Sequence, residues 1–183
     1  MLGFYNARRE NLLAAEPNAA HEALARLARE RPGEIAVVTQ NIDDLHERAG
    51  HEGVIHMHGA LLQSLCTACA DVAEWRDPMG VESRCPACGA VGTIRPNVVW
   101  FGEVPYQMER IAELLARAER FVSIGTSGSV YPAAGFVAEC AAQGIPTLEL
   151  NLEPSETATL FDESRHGKAT EIVPAWVDEV LGA

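Results

Sequence analysis

Basic charge is scarce in this 183-residue chain: 14 Lys and Arg stand against 26 Asp and Glu, for a net charge of −12. Phosphate backbones are held by clustered Lys and Arg, so a nucleic-acid partner is not expected. No apolar run approaches the length of a membrane span. The opening stretch MLGFYNARRENL has no long apolar core of the secretory kind. Repeats and low-complexity tracts are also missing. These absences set the expectation of a monomeric cytoplasmic enzyme, with no membrane partner and an acidity compatible with basic protein partners.

What is present is a chain 48% hydrophobic, enough to bury a core as one domain or as a domain with a small insert. Of five cysteines, four come as two CxxC pairs. Without a secretory leader, metal ligation is the better reading than disulfides. Cys140 lies in an Ala-rich helical stretch and reads as a small buried hydrophobe.

Periodicity organises the rest. FYNARRENLLAA, residues 4–15, and AAHEALARLARE, residues 19–30, read as helices, the second with Leu24 and Leu27 on one face. Pro32-Gly33 stops it. EIAVVTQ then reads as a buried strand, IDDLHERA as one or two helical turns, and VIHMHG as a short strand. RIAELLARAERF reads as a helix, FVSIG as a strand, AAGFVAECAAQG as a helix and PTLELN as a strand. ATEIV reads as a further strand, and PAWVDEVL as a terminal helix opened by its proline. Strand and helix in alternation imply an α/β fold, a Rossmann-like, doubly wound parallel sheet. The division read from this is a helical segment of a small lobe over 1–33, Rossmann-like parts over 34–61 and 99–183, and an insert over 62–98. Ligands of such sheets sit at the carboxyl ends of the strands, where TQN, HG, GTS and Asn151 all fall.

The insert carries CTAC and CPAC fifteen residues apart. Cys66, Cys69, Cys85 and Cys88 can close a tetrahedral zinc site with no position left for water, so one structural zinc is expected. The alternative is four ordinary buried cysteines. Little else in the insert reads as core, so metal is expected to supply much of its folding free energy, on the order of 10 kcal/mol.

Each crevice residue has two readings. Gln40, Asn41 and Asp43 suit a polar ligand such as a ribose or an amide, or Asn41 alone caps a helix. Gly125, Thr126 and Ser127, in GTSGS, suit an anion, yet the stretch is not G-x-G-x-x-G, has no P-loop lysine, and most such turns are only turns. His56 and His58 share one face if VIHMHG is a strand, and an imidazole with its ordinary pKa of about 6.5 makes a general base, though a strand histidine is more often structural. Val99, Trp100, Phe101, Gly102 and Glu103 make either an edge that pairs with an extended peptide or plain core. Tyr5 and Arg8, three apart on a helix, suit a carboxylate or form a solvated face.

Taken in order, FYNARR, TQNID with LHERAG, HMHG, the paired CxxC motifs, NVVWFGE, GTS and a strand ending in Asn151 resemble the sirtuins, NAD-dependent protein lysine deacylases, from residue 4 onward. FYNARR and HMHG are similar to the bacterial subgroup related to desuccinylases. The resemblance implies His58 as general base, and Gln40, Asn41 and Asp43 around nicotinamide and its ribose. It implies Gly125, Thr126, Ser127 and Asn151 at the phosphates and adenosine, and Val99–Glu103 along an acyl-lysine peptide. It also implies Tyr5 and Arg8 reading an acidic acyl group such as succinyl or malonyl. The reaction it implies passes an acyl group from lysine to ADP-ribose, with nicotinamide released.

One departure sets a further expectation. Sirtuins begin with a strand running into a GAG-type loop, and no GAG occurs in this sequence. The reading is therefore of a first Rossmann strand missing, and of weak NAD binding and turnover. Two other readings remain at this point: mono-ADP-ribosyl transfer, and a non-catalytic zinc-containing interaction module.

Overall fold

Helix starts are set by local capping. The computed structural model describes residues 2–182, beginning with helix α1, Leu2–Ala14. Pro17 precedes Asn18, whose side chain accepts hydrogen bonds from the N–H groups of Ala20 and His21, while His21 Nδ1 accepts from the Asn18 N–H. This reciprocal box starts α2, Ala19–Glu30. The stretch 34–40 yields only a two-residue strand, β1, Val38–Thr39. α3, Leu45–Arg48, and β2, Ile55–His56, follow.

The insert holds strands that periodicity did not reveal: β3, Gly59–Cys66; β4, Val72–Glu74; and β5, Ile94–Val98. They form an antiparallel sheet in the order β4-β3-β5. Gly59 is required at its start. Its φ is +80°, and a Cβ there would lie 2.0 Å from the Asn97 carbonyl oxygen. The lobe also has apolar filling of its own. Met79 and Ile94 pack with Cys66 and Cys85, and Trp75 and Leu2 lie against them. This small cluster, two of whose four buried members are cysteines of the candidate metal site, adds some apolar cohesion to the lobe beside the metal expected there.

The chain continues with α4, Met108–Ala116, and β6, Phe121–Ile124. α5, Phe136–Ala142, and β7, Thr147–Asn151, complete the next unit. β8, Glu163–His166, comes next, and α6, Ala169–Leu181, ends the fold. The ATEIV stretch is helix, not strand. Val173, Trp176 and Val177 form a stripe at helical spacing, and burying it outweighs the interior Pro174. β8 was missed because Glu163, Arg165 and His166 show no apolar alternation. They fit an exposed sheet edge, where charge blocks further pairing.

β6, β7 and β8 pair in parallel, and β1 pairs in parallel with β2. Helices cover both faces, as doubly winding requires. On one face Leu24 and Leu27 of α2 meet Leu148 and Leu150 of β7 and Val173, Trp176 and Val177 of α6. On the other, Ile55 and Met57 meet Ile111, Leu115, Phe136 and Cys140. Cys140 is fully buried, as its sequence context suggested, and burial pushes its thiol pKa up. The two N-terminal helices part company: α2 lies on the Rossmann-like core, whereas Leu12 of α1 packs on Leu61 and Leu62 of β3.

The parallel strands do not form one ladder. Among the described residues β1 bonds only to β2 and β6 only to β7. Between them lies a cleft of about 1340 Å³, lined by Ile35–Asn41 on one side and Phe121–Ser127 on the other.

Candidate active site

The polar end of the cleft is closed by the strand termini. Gln40 Nε2 donates to Thr126 Oγ1 at 3.3 Å, and Asn151 Nδ2 donates to the Thr126 carbonyl at 2.7 Å. Thus β1, β6 and β7 present one rim, as the sequence reading expected. The roles within it are sharper than the sequence allowed. Asp43 Oδ1, not Asn41, accepts from the Leu45 N–H at the start of α3. Asn41 is exposed, and its side-chain amide has no hydrogen-bond partner among the described residues. Gly125, at φ +63°, makes the turn, but its N–H is spent on the Leu150 carbonyl. The N–H groups of Thr126 and Ser127 find no acceptor among the described residues.

His58 and His56 do not work together. β2 ends at His56 and the positive-φ Gly59 turns the chain, so the shared face expected of a strand is lost. His56 Nε2 lies 2.6 Å from Glu47 Oε1 beside a separate pocket of about 360 Å³. Burial lowers the His56 pKa, but the Glu47 bond and charge outweigh it and leave it raised. His58 Nδ1 lies 3.0 Å from the Gln40 carbonyl oxygen. A carbonyl only accepts, so Nδ1 carries the proton and Nε2 is the basic nitrogen. The His58 carbonyl in turn accepts from the Val99 N–H at 2.9 Å. One residue therefore joins the cleft rim to the segment after β5.

That segment is neither strand nor core. Val99–Glu103 forms a turn closed by the Glu103 N–H on the Trp100 carbonyl, with Gly102 at φ +90°. Phe101 is fully exposed, and Trp100 is half-buried. Glu103 accepts from Arg95 NH2 at 2.8 Å and from the Trp100 N–H at 2.9 Å. The Trp100 indole N–H donates to the Tyr5 hydroxyl oxygen at 3.0 Å. The Arg8 guanidinium lies over the Phe4 ring, 5.2 Å from its centroid, with no ion-pair or hydrogen-bond partner among the described residues. Tyr5 and Arg8 share a helix with one turn between them, but no bond links them.

The cysteine reading fits a metal. The four sulfurs of Cys66, Cys69, Cys85 and Cys88 lie within 4.8 Å of one another. The Cys66–Cys88 and Cys69–Cys85 sulfurs are 3.8 and 3.7 Å apart. Four sulfurs about 2.3 Å from a common zinc sit roughly 3.8 Å apart in a tetrahedron. The Thr93 hydroxyl, 3.3 Å from the Cys66 sulfur, draws that thiol's pKa down. Cys69, despite the Asp71 backbone bond, is pushed up by its contacts with Cys88, Cys66 and Cys85 and by burial, as befits crowded thiols that do not all ionise without a cation.

The model of the Sir2 family matches residues 2–132. This chain belongs to the Sir2 family. It is 57% identical to an NAD-dependent protein deacylase of Caulobacter vibrioides, over 97% of this chain and 76% of that protein. It is 55% identical to the NAD-dependent protein deacylase SIR2rp3 of Leishmania major, over 97% of this chain and 75% of that protein. Among solved structures, a Sir2 homolog in complex with NAD superposes with a TM-score of 0.90 at 36% identity, covering 98% of this chain and 70% of that one. A Sir2 bound to acetylated peptide superposes at 0.82 with 31% identity, covering 94% of this chain and 74% of that one.

For this Sir2 chain, NAD is the cofactor of its named relatives, and the four-cysteine group is able to hold one structural zinc. No described helix is long and apolar enough to cross a membrane. Sequence reasoning missed two site features. The His56–Glu47 pair is nine residues apart, and only the α3 turn brings it together. The Trp100–Tyr5 bond spans 95 residues, and no local signal announces it.

Proposed function

We propose that this chain removes acyl groups from protein lysines, succinyl and malonyl as well as acetyl, using NAD and giving nicotinamide and O-acyl-ADP-ribose. The observation that carries the reading is the His58–Gln40 bond, which leaves Nε2 as the proton-accepting nitrogen beside the cleft rim. NAD supplies an electrophilic ribose carbon with nicotinamide as its leaving group, which the acyl oxygen attacks. His58 would take a proton from the ribose hydroxyls, so that the 2′ oxygen could reach the acyl carbon. The bond from that carbon to the lysine nitrogen would then break, the lysine would leave as the amine, and water would supply the remaining oxygen and protons. Gln40, Asn41 and Asp43 surround nicotinamide and its ribose, and the free Asn41 amide supports this role. Thr126 and Ser127 give N–H and hydroxyl donors to the phosphates, while Gly125 and Asn151 shape their turn. Val99, Trp100, Phe101, Gly102 and Glu103 lie along the peptide, and Tyr5 with Arg8 meets an acidic acyl end.

Residues 34–61 and 99–183 as the nucleotide-binding part, 62–98 as the zinc lobe and α1 beside it belong to the same proposal. So do a monomeric state and a cytoplasmic site, without nucleic-acid partners. Five cysteines with no disulfide among them suit a reducing compartment, and a net charge of −12 opposes binding to a nucleic-acid phosphate backbone. The test is nicotinamide release from NAD with a succinyl-lysine peptide, followed by chromatography. Release that requires the peptide, with O-acyl-ADP-ribose formation that requires His58, supports the reading, and release no faster than in the peptide-free control sinks it.

A further inference from the structure

The indole N–H of Trp100 is a donor only, whereas a phenol hydroxyl offers one proton and accepts on its lone pairs. The 3.0 Å bond from Trp100 Nε1 to the Tyr5 oxygen therefore occupies a Tyr5 lone pair and turns its own proton elsewhere. That proton has no acceptor among the described residues. Arg8, one helical turn on, is also without an acceptor. Two donors on one helix face, both lacking a partner, match an oxyanion better than an apolar or neutral group.

Trp100 is itself held firmly. The Arg95 guanidinium lies 4.2 Å from the centre of the indole ring. Arg95 NH1 donates to the Val98 carbonyl at 3.1 Å, and Arg95 NH2 donates to Glu103. Glu103 also takes the Trp100 backbone N–H. A cation over the ring face withdraws electron density and strengthens the indole N–H as a donor. The relay Glu103–Arg95–Trp100–Tyr5 thus runs from the turn after β5 to α1.

We propose that Trp100 is a selectivity-determining positioning residue: its indole N–H fixes the Tyr5 hydroxyl as a donor toward the carboxylate of an acidic acyl group. The inference rests on the reading of Tyr5 and Arg8 given above. Trp100→Phe keeps an aromatic ring beneath Arg95 and deletes the N–H together with part of the indole. The measurement is kcat/KM on succinyl-lysine and acetyl-lysine peptides of one sequence, for the parent, Trp100→Phe, Tyr5→Phe, Arg8→Met and the Trp100→Phe/Tyr5→Phe double variant. Peptide affinities by fluorescence anisotropy give the same ratios without turnover.

The expected result is a succinyl-to-acetyl ratio lowered about three- to tenfold by Trp100→Phe, the span of one hydrogen bond. In the Tyr5→Phe background Trp100→Phe lowers it no further, because the proton it directs is gone. Equal loss on both peptides in Trp100→Phe means a merely structural role and overturns the inference. An unchanged ratio in Trp100→Phe, with a lowered one in Arg8→Met, overturns it while leaving the reading of the pair intact. A ratio unmoved by Arg8→Met and Tyr5→Phe removes that reading, and the inference with it.

Discussion

His58 Nδ1 and the Gln40 carbonyl oxygen are 3.0 Å apart, and this distance sets which nitrogen of the imidazole is basic. The same residue passes its own carbonyl to the Val99 N–H. The proposed base is thereby anchored between the rim of the cleft and the segment proposed to meet the peptide. His58→Ala removes the base without touching the Gln40–Thr126 bond. Nicotinamide-coupled deacylation is expected to fall about 100-fold or more, with NAD affinity changed far less. Equal losses in affinity and rate would move His58 from proton transfer to binding.

The cysteine cluster predicts one zinc per chain by elemental analysis, bound at a structural site. Chelation should loosen the β3–β5 lobe, since such sites contribute on the order of 10 kcal/mol. Trp75, packed against Cys66, Cys85, Met79 and Ile94, is a built-in reporter. Its fluorescence should shift red as zinc leaves. Unchanged Trp75 emission and near-UV CD in a preparation shown to be metal-free would contradict the assignment.

Much of the site could be read in the sequence because its signals are local. The CxxC pairs, the polar TQN end of β1 and the GTS turn each announce themselves within five residues. What could not be read depends on distant partners. Pro174 and the β-branched Ile172 and Val173 disguised the start of α6, whose helical stripe is decided by burial against α2 and β7. The polar β8 is a strand only because β7 offers it an edge. The two parallel ladders, by contrast, agree with the sequence reading of a missing first Rossmann strand. The spacing of His56 and His58 does not reveal that Gly59 sends them to different neighbours.

Gly59 is the most demanding backbone position. Gly59→Ala would put a methyl 2.0 Å from the Asn97 carbonyl in a left-handed conformation, at the point where β3 pairs with β5. The expected loss exceeds about 2 kcal/mol, read as a lowered urea midpoint. A midpoint within error of the parent would show that the β3–β5 start yields more easily than this geometry allows.

Acid should destabilise the fold through His46. Burial first, then the neighbouring His21 and His51, draws its pKa from 6.5 to about 4, against the opposing charges of Asp43 and Glu47. Its Nδ1 is buried without a partner. Between those two values the unfolded chain binds a proton that the folded chain refuses. Stability from this group is therefore intact above about pH 6.5 and falls as the pH drops toward 4. His21, also lowered by burial, acts in the same direction, while the raised His56 acts in the opposite one. Urea midpoints measured from about pH 7 to about pH 5 should fall, and the fall should be shallower in His46→Gln. The same slope in both proteins would contradict the role given to His46.

The central claim is that this chain carries an acyl group from lysine to ADP-ribose with His58 as base. Mass spectrometry of a reaction holding NAD and a succinyl-lysine peptide tests it most directly. The account predicts free lysine peptide, nicotinamide and O-succinyl-ADP-ribose in equal amounts, with the free peptide and O-succinyl-ADP-ribose formed about 100-fold more slowly by His58→Ala. ADP-ribose attached to the peptide with its succinyl group still in place, or O-succinyl-ADP-ribose formed by His58→Ala at the parent's rate, would contradict it.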